Sequence, residues 1–172
     1  MTPSPSLIDE IEDALASQTE EKRTAALWHI TDLFIAGSDS YTEDHVTLFD
    51  DVIGRLAATI ETNARAKLST RFARVPNAPV GVIRALAADH EIAVAEPVLR
   101  HSPRLDDEYL KTTATTHSQQ HLLAIAQRAA LSEHVTDVLV ERGDRDVVRS
   151  VAQLLAGHNS YPAYQDVEAF WK

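Results

Sequence analysis

The fold is decided by three consecutive segments of equal length, residues 79–104 (PVGVIRALAADHEIAVAEPVLRHSPR), 105–130 (LDDEYLKTTATTHSQQHLLAIAQRAA) and 131–156 (LSEHVTDVLVERGDRDVVRSVAQLLA). Each segment has 26 residues, and the offset keeps apolar positions in register, so that Leu99 falls on Ile125 and Val151. Tandem units of this length with two helical patterns each are typical of a helical-repeat array.

Each unit predicts a first helix, a polar turn and a second helix. The first helices are expected at about 79–88, 106–116 and 132–142, and the second at about 91–101, 118–129 and 144–156. Helices of about ten residues are marginal in isolation, so each pair needs its neighbours to cover its apolar face. Asp106, Ser132 and Asp144 are predicted N-caps, and Gly143 can take the left-handed turn conformation. Pro97 is expected to give a kink or a late start of its helix rather than a break.

Outside these units the sequence predicts further helices. Residues 1–63 form an acidic N-terminal helical cap, with helices at about 7–17, 19–37 and 42–61. A basic helix at about 64–74 precedes the first repeat. A partial fourth unit, 157–172, is expected to contain one helix, about Tyr161–Lys172, which either closes the array or leads into a longer chain.

Charge is unevenly distributed along the 172 residues. The net charge is −10, and residues 1–63 carry all of it, with 13 acids against Lys22, Arg23 and Arg55, while residues 64–172 carry 13 acids and 13 bases. Such an acidic end repels nucleic acid and anionic lipid and suits a basic protein partner, or serves solubility alone.

Composition excludes several classes of protein. With no cysteine, the chain has no disulfide scaffold, thiolate zinc site or cysteine nucleophile. No apolar run approaches 18 residues, so no membrane span is expected. The start, MTPSP, lacks the basic and apolar regions of a secretory signal, so we expect a cytoplasmic protein.

Motifs with possible chemistry have structural interpretations. His117 and His121 have the spacing that places two imidazoles on one helical face, but His121 aligns with inward positions of the other units and is predicted to be structural. Adjacent acids such as Asp50 and Asp51 point to different sides of a helix and make poor catalytic pairs. No phosphate-binding glycine loop or nucleophile elbow is present. We therefore predict no catalytic, cofactor-binding or metal-binding residues and no enzyme activity.

A set of arginines on the predicted second helices is the candidate contact surface. We call it the arginine ridge, and it consists of Arg71, Arg74, Arg100, Arg128 and Arg149. In solenoids such helices often line one concave face, so the ridge could contact an acidic partner or phosphate. The alternative is ordinary pairing with the interleaved acids, such as Glu96 and Asp146. The sequence pI of about 5.2 argues against a nucleic-acid-binding domain.

Four strings carry a family resemblance: LFDDVI at 48–53, IAVAEPVL at 92–99, HLLAIA at 121–126 and LSEHVTDVLVERGD at 131–144. From about Glu20 to Ala156 the chain resembles a bacterial domain-of-unknown-function family, number 2336, which is similar to HEAT-like repeats. The resemblance implies an all-α, HEAT-like solenoid of antiparallel helix pairs in one continuous domain, and it supplies no catalytic residue.

The leading functional prediction is a non-enzymatic adaptor or regulatory scaffold that binds a protein partner in a bacterial cytoplasm, because repeat arrays present extended surfaces. One alternative is a HEAT-like enzyme or binder acting on nucleic acid or another phosphate-bearing ligand, using the arginine ridge with Asp89 or Asp144. Another is a sensory or oligomerisation domain of a longer signalling chain.

Overall fold

A computed structural model describes residues 5–157, without the side chains of residues 5–8 and 10. Within this range the chain folds into ten α-helices, with a short 3-10 turn at Ser38–Ser40 and no strand. The helices are α1 Pro5–Ala16, α2 Glu20–Gly37, α3 Glu43–Ala57, α4 Thr62–Phe72, α5 Val80–Ala87, α6 Ile92–His101, α7 Asp107–Thr116, α8 Gln119–Ala126, α9 Glu133–Arg142 and α10 Arg145–Gly157. The predicted all-α class is confirmed for these residues.

The helices lie close to their predicted positions. α5, α7 and α9 match the predicted first helices within about a residue at each end, and α6 continues unbroken through Pro97. α8 ends at Ala126, earlier than predicted. The Gln127 N–H is shared between the carbonyls three and four residues earlier, and the Arg128 N–H bonds the carbonyl three residues earlier, which tightens the last turn. α3 likewise ends at Ala57 rather than near residue 61. The helix predicted at Tyr161–Lys172 lies outside the described residues.

The predicted N-caps are present at three of the repeat helices. The carboxylate of Asp106 accepts from the Tyr109 N–H at 2.8 Å, and the Ser132 hydroxyl accepts from the N–H three residues later at 3.4 Å. Asp144 accepts from the Val147 N–H at 3.1 Å. Each cap satisfies a backbone donor that the first turn of a helix leaves free.

Gly143 does not adopt the predicted left-handed conformation. Its φ and ψ are −69° and 147°, which is ordinary extended backbone. Glycine is required there by space, since a Cβ would lie 2.3 Å from the Leu139 carbonyl oxygen and 2.5 Å from Val147 Cγ1. The prediction was wrong about the conformation, because the turn between α9 and α10 is made by close packing rather than by a positive φ.

Alternate helices pack against one another in two rows. In the even-numbered row α4 packs on α6, α6 on α8 and α8 on α10; in the odd-numbered row α3 packs on α5 and α7 on α9. The rows also meet within the pairs α5–α6, α7–α8 and α9–α10. Helices of both rows contribute fully buried side chains, among them Phe72, Ile83, Leu99, Ile125 and Leu139. Packing of one row against the other buries the apolar faces of these short helices, which are marginally stable in isolation.

An aromatic cluster joins the acidic N-terminal helices to α4. The ring of Phe34 in α2 lies 5.1 Å from that of Phe49 in α3 and 5.7 Å from that of Phe72 in α4, both edge to face. This geometry is the favoured one for aromatic pairs. The acidic segment is therefore packed on the rest of the described chain.

Two junctions in the rows are looser than the others. α2 and α4 are successive members of the even row, and α5 and α7 of the odd row, yet neither pair shares the close backbone packing of its neighbours. None of the helices in residues 5–157 combines the length and apolar character needed to cross a lipid bilayer.

Candidate functional site

The looser junction between α2 and α4 leaves an open groove of about 650 Å³ on the even-numbered row. We call it the Trp28 groove, and its lining consists of Trp28 from α2 and Asn63, Ala66, Lys67, Thr70 and Arg71 from α4. The α4 residues recur three or four positions apart, so they lie on one face of that helix. Trp28 is half-buried and forms the opposite wall.

A cation stacked on an aromatic ring bridges the groove. The Arg71 guanidinium lies over the Trp28 indole, 5.6 Å from its centroid, and it also forms an ion pair with Asp32 of α2. Both contacts cross from α4 to α2, and together they hold the guanidinium in one orientation. Arg71 therefore spans the two walls at the edge of the groove.

Lys67 lies one turn before Arg71 on the same face of α4. It is exposed, and no acidic side chain of the described residues forms an ion pair with it. Residues 62–74 contain four basic residues and no acid. Arg65 is used inside the fold, since it pairs with Asp89 at 2.8 Å and donates to the Ile60 carbonyl at 2.8 Å. The groove therefore has a locally positive wall in a chain whose net charge is negative.

The arginine ridge is divided among three places. Arg71 belongs to the Trp28 groove. Arg149 lies on α10 and pairs with Asp146 at 3.6 Å. Arg74, Arg100 and Arg128 surround His101 near the C-terminal ends of α4, α6 and α8. Arg74 and Arg128 follow the ends of α4 and α8 rather than lying on them, which differs from the predicted placement.

The three arginines around His101 have different partners. Arg74 Nη2 lies 3.5 Å from His101 Nε2, and Arg100 pairs with Glu96 at 3.5 Å. Arg128 donates to the carbonyls of Leu99 at 2.6 Å and Ser102 at 2.8 Å, so it caps the end of α6. Partial burial lowers the pKa of His101, and the positive charges of Arg74 and Arg100 lower it further. Burial also lowers the pKa of Arg128 from its usual value, although Asp107 opposes this.

His121 is a structural residue, as its alignment with inward positions predicted. It is 3% exposed, and its ring centroid lies 5.0 Å from that of His117. Nε2 donates to the Asp89 carbonyl at 2.8 Å, so in the neutral ring Nδ1 accepts from the Ser118 hydroxyl at 2.8 Å. Both nitrogens are thus engaged. Residues 5–157 hold no group of three or more side chains arranged to bind a metal ion.

The two acids considered for an enzyme also have structural partners. Asp89 pairs with Arg65 and accepts from the Glu91 N–H at 3.0 Å near the start of α6. Asp144 accepts from backbone N–H groups at the start of α10. Both carboxylates therefore stabilise helix ends.

Sequence reasoning missed the groove itself. No motif or periodicity in the sequence singles out Trp28, Asn63, Ala66 or Thr70. The one signal was the basic face of the α4 segment, which contains Lys67 and Arg71. The pairing of Trp28 with Arg71 joins positions 43 residues apart, and no local periodicity encodes such a contact.

No curated protein and no solved structure matches the chain. A family match covers much of the repeat segment, from α6 to α10, and leaves the Trp28 groove outside it. Residues 94–154 match the model of the family described as an uncharacterised protein conserved in bacteria (DUF2336), the family that the sequence resembles.

Proposed function

We propose that this protein is a non-enzymatic, HEAT-like helical-repeat module that binds another protein as an adaptor or regulatory scaffold in the cytoplasm. The observation that carries the proposal is the even-numbered row, in which α4 packs on α6, α6 on α8 and α8 on α10. Stacked helical repeats use such extended surfaces for binding.

Hydrogen bonds at the repeat spacing support a solenoid. Arg104 Nε donates to the Ala78 carbonyl at 2.9 Å, and Arg128 Nη2 donates to the Ser102 carbonyl at 2.8 Å. Both bonds span 26 residues, which is the offset between the sequence units. In both bonds an arginine of a repeat unit reaches a carbonyl one unit length earlier in the chain, as expected for segments related by translation along an array.

The internal use of reactive side chains supports a binding role. Catalysis needs titratable groups that face a cleft and can reach a substrate. His121, Asp89 and Asp144 are instead satisfied by backbone or neighbouring side chains. The Trp28 groove contains an aromatic ring and two cations but no carboxylate or imidazole in its lining, which suits recognition rather than proton transfer.

Affinity purification of the tagged full chain from its native host tests the proposal. We expect a protein partner to be recovered in comparable molar amount, identified by mass spectrometry, and to remain after nuclease treatment. The tag alone serves as the control. Recovery of no protein above that control, or release of the bound material by nuclease, would contradict the scaffold.

A further inference from the structure

We infer that the Trp28 groove binds a short acidic peptide segment that carries one apolar side chain between its carboxylates. This inference rests on the proposed protein-binding function and specifies the class of partner. It depends on three features of the groove, namely its shape, its charge and its apolar wall.

The groove is suited to an added segment because its two walls are already held apart. α2 and α4 are joined through long side chains rather than by close backbone packing, whereas α4 and α6 pack directly. The contact of Arg71 with Trp28 and Asp32 keeps this spacing in the free protein. A preformed site loses less conformational entropy on binding than one that must open.

The charge of the α4 wall favours carboxylates. Lys67 has no ion-pair partner among the described residues and is free to bind one. Arg71 is oriented by Trp28, and its single acidic partner, Asp32, leaves further guanidinium donors available. Two cations one helical turn apart match two acidic side chains of a peptide, and charge-assisted hydrogen bonds to carboxylate are stronger than neutral ones.

The apolar part of the lining accepts the side chain between the carboxylates. Trp28 is half-buried and Ala66 lies on the facing helix, so an aliphatic side chain would be covered from two sides. The Asn63 amide has no hydrogen-bond partner among the described residues and can bond to a peptide backbone. Aromatic anchors with a polar rim are the usual composition of a binding hot spot.

The same features disfavour a nucleic acid strand. A polynucleotide carries a negative charge at every nucleotide, and residues 1–63, which supply one wall of the groove, contain 13 acids and three bases. A peptide with two carboxylates can end within the groove. Phosphate-backbone binding is therefore the competing outcome that the experiment must separate.

Trp28 itself provides the measurement. The chain has two tryptophans, so a Trp171→Phe background leaves Trp28 as the single reporter of the groove. The probe is a synthetic twelve-residue peptide with one leucine flanked by glutamates, compared with the same peptide carrying glutamines. We expect the glutamate peptide to give a saturable change in Trp28 emission that weakens with added salt, and the glutamine peptide to give none.

Charge reversal supplies a matched pair of variants in that background. Lys67→Glu and Lys111→Glu change the net charge equally, but Lys111 lies on α7, in the other row. We expect Lys67→Glu to weaken the peptide about tenfold, because an attraction becomes a repulsion, and Lys111→Glu to change it less than twofold. Equal thermal melting of both variants shows that neither effect comes from unfolding.

Several results would overturn the groove assignment. These are no saturable change with the glutamate peptide, equal binding of the glutamine peptide, equal weakening by both variants, or displacement of the peptide by an oligonucleotide at lower concentration. If Lys67→Glu still recovers the native partner as the unaltered chain does, the groove inference fails and the scaffold stands. If the unaltered chain recovers no partner, the scaffold fails by itself.

Discussion

At Gly143 and Gly54 the missing side chain has opposite consequences, although both glycines have ordinary backbone angles. A Cβ at Gly143 would press on the Leu139 carbonyl and on Val147, whereas a Cβ at Gly54 in α3 meets nothing within 4 Å. Lack of space for a Cβ therefore requires glycine at position 143, whereas position 54 has room for a side chain. Local sequence does not distinguish the two, because the contacts at Gly143 come from α9 and α10 together.

Gly143→Ala is expected to lower the free energy of unfolding by about 1–3 kcal/mol, the usual cost of overpacking. Gly54→Ala is its control and should raise the free energy of unfolding by about 0.5–1 kcal/mol, because alanine loses less conformational freedom in a helix. Urea denaturation followed by circular dichroism measures both. Equal effects of the two substitutions would show that the α9–α10 turn is not tightly packed.

Protonation of His117 should destabilise the fold. Burial lowers its pKa from the usual 6.5, and the nearby His121 and His90 lower it further, although the backbone carbonyls of Ala88 and Thr113 raise it. As pH falls, His117 is therefore protonated in the unfolded chain before it is protonated in the folded chain. The stability present above about pH 6.5 is lost as pH falls toward the lowered pKa of His117 in the folded state.

His117→Gln should therefore reduce the loss of stability between about pH 7.5 and about pH 5.5. The same substitution at the exposed His134 supplies the control for removing an imidazole elsewhere on the surface. Thermal melts at several pH values measure that loss. If His117→Gln makes the loss at low pH steeper, the sign of the argument is wrong.

At the scale of elements, backbone N–H groups at the start of several helices donate to side chains of other helices. Asp50 of α3 accepts from the N–H groups of Gly81 at 2.9 Å and Val82 at 2.8 Å, at the start of α5. The N-cap position there is Pro79, which has no side-chain acceptor. Glu20 of α2 similarly accepts from the Glu61 N–H at 2.7 Å, at the start of α4. These caps tie successive helices together.

Asp50→Ala should lower the free energy of unfolding by about 1–2 kcal/mol, because it leaves two backbone donors of α5 without their cap. Its neighbour Asp51 is the control. Asp51 is exposed and pairs with Arg55 of its own helix at 3.2 Å, so Asp51→Ala should cost less than about 0.5 kcal/mol. Chemical denaturation distinguishes them. A similar cost for both would mean that α5 does not depend on α3 for its start.

The two looser junctions are bridged in the same way. Between α5 and α7 the Arg84 guanidinium lies 5.3 Å from the Tyr109 ring centroid and 3.2 Å from Asp106, as Arg71 lies against Trp28 and Asp32 between α2 and α4. The Tyr109 hydroxyl also donates to the Arg84 carbonyl at 2.7 Å, and burial raises the pKa of Tyr109. At the Trp28 junction the bridging arginine and Lys67, which has no ion-pair partner among the described residues, both line an open groove, which is why it is the candidate site.

For the whole molecule, the proposed solenoid predicts a gradient of local stability. Each unit of an array is stabilised by its neighbours, so helices with neighbours on both sides should open less often than helices at an end. Amide hydrogen exchange should be slowest in α4, α6 and α8, which pack in sequence, and faster in α1 and α10. Uniform protection across residues 5–157 would indicate a single cooperative bundle instead.

The repeat segment was the most predictable part of the chain. Apolar periodicity, the 26-residue offset and the N-cap residues are local signals, and α5, α7 and α9 appear where those signals place them. The arginine ridge was less predictable. Helical spacing puts its members on second helices, but whether a guanidinium faces solvent or caps a carbonyl, as in Arg128, depends on which helix end lies beside it.

The sequence by itself determined the all-helical class of residues 5–157, the positions of most of their helices and the concentration of acid before residue 64. Tertiary structure alone decided which helices pack closely, that α2 and α4 stand apart, and that Trp28 meets Arg71 across the gap. The physical reason is the separation along the chain of the residues that determine each feature. Helix formation depends on residues within about four positions of one another, whereas a groove depends on how distant helices pack, and that is set by the shapes of all the side chains between them.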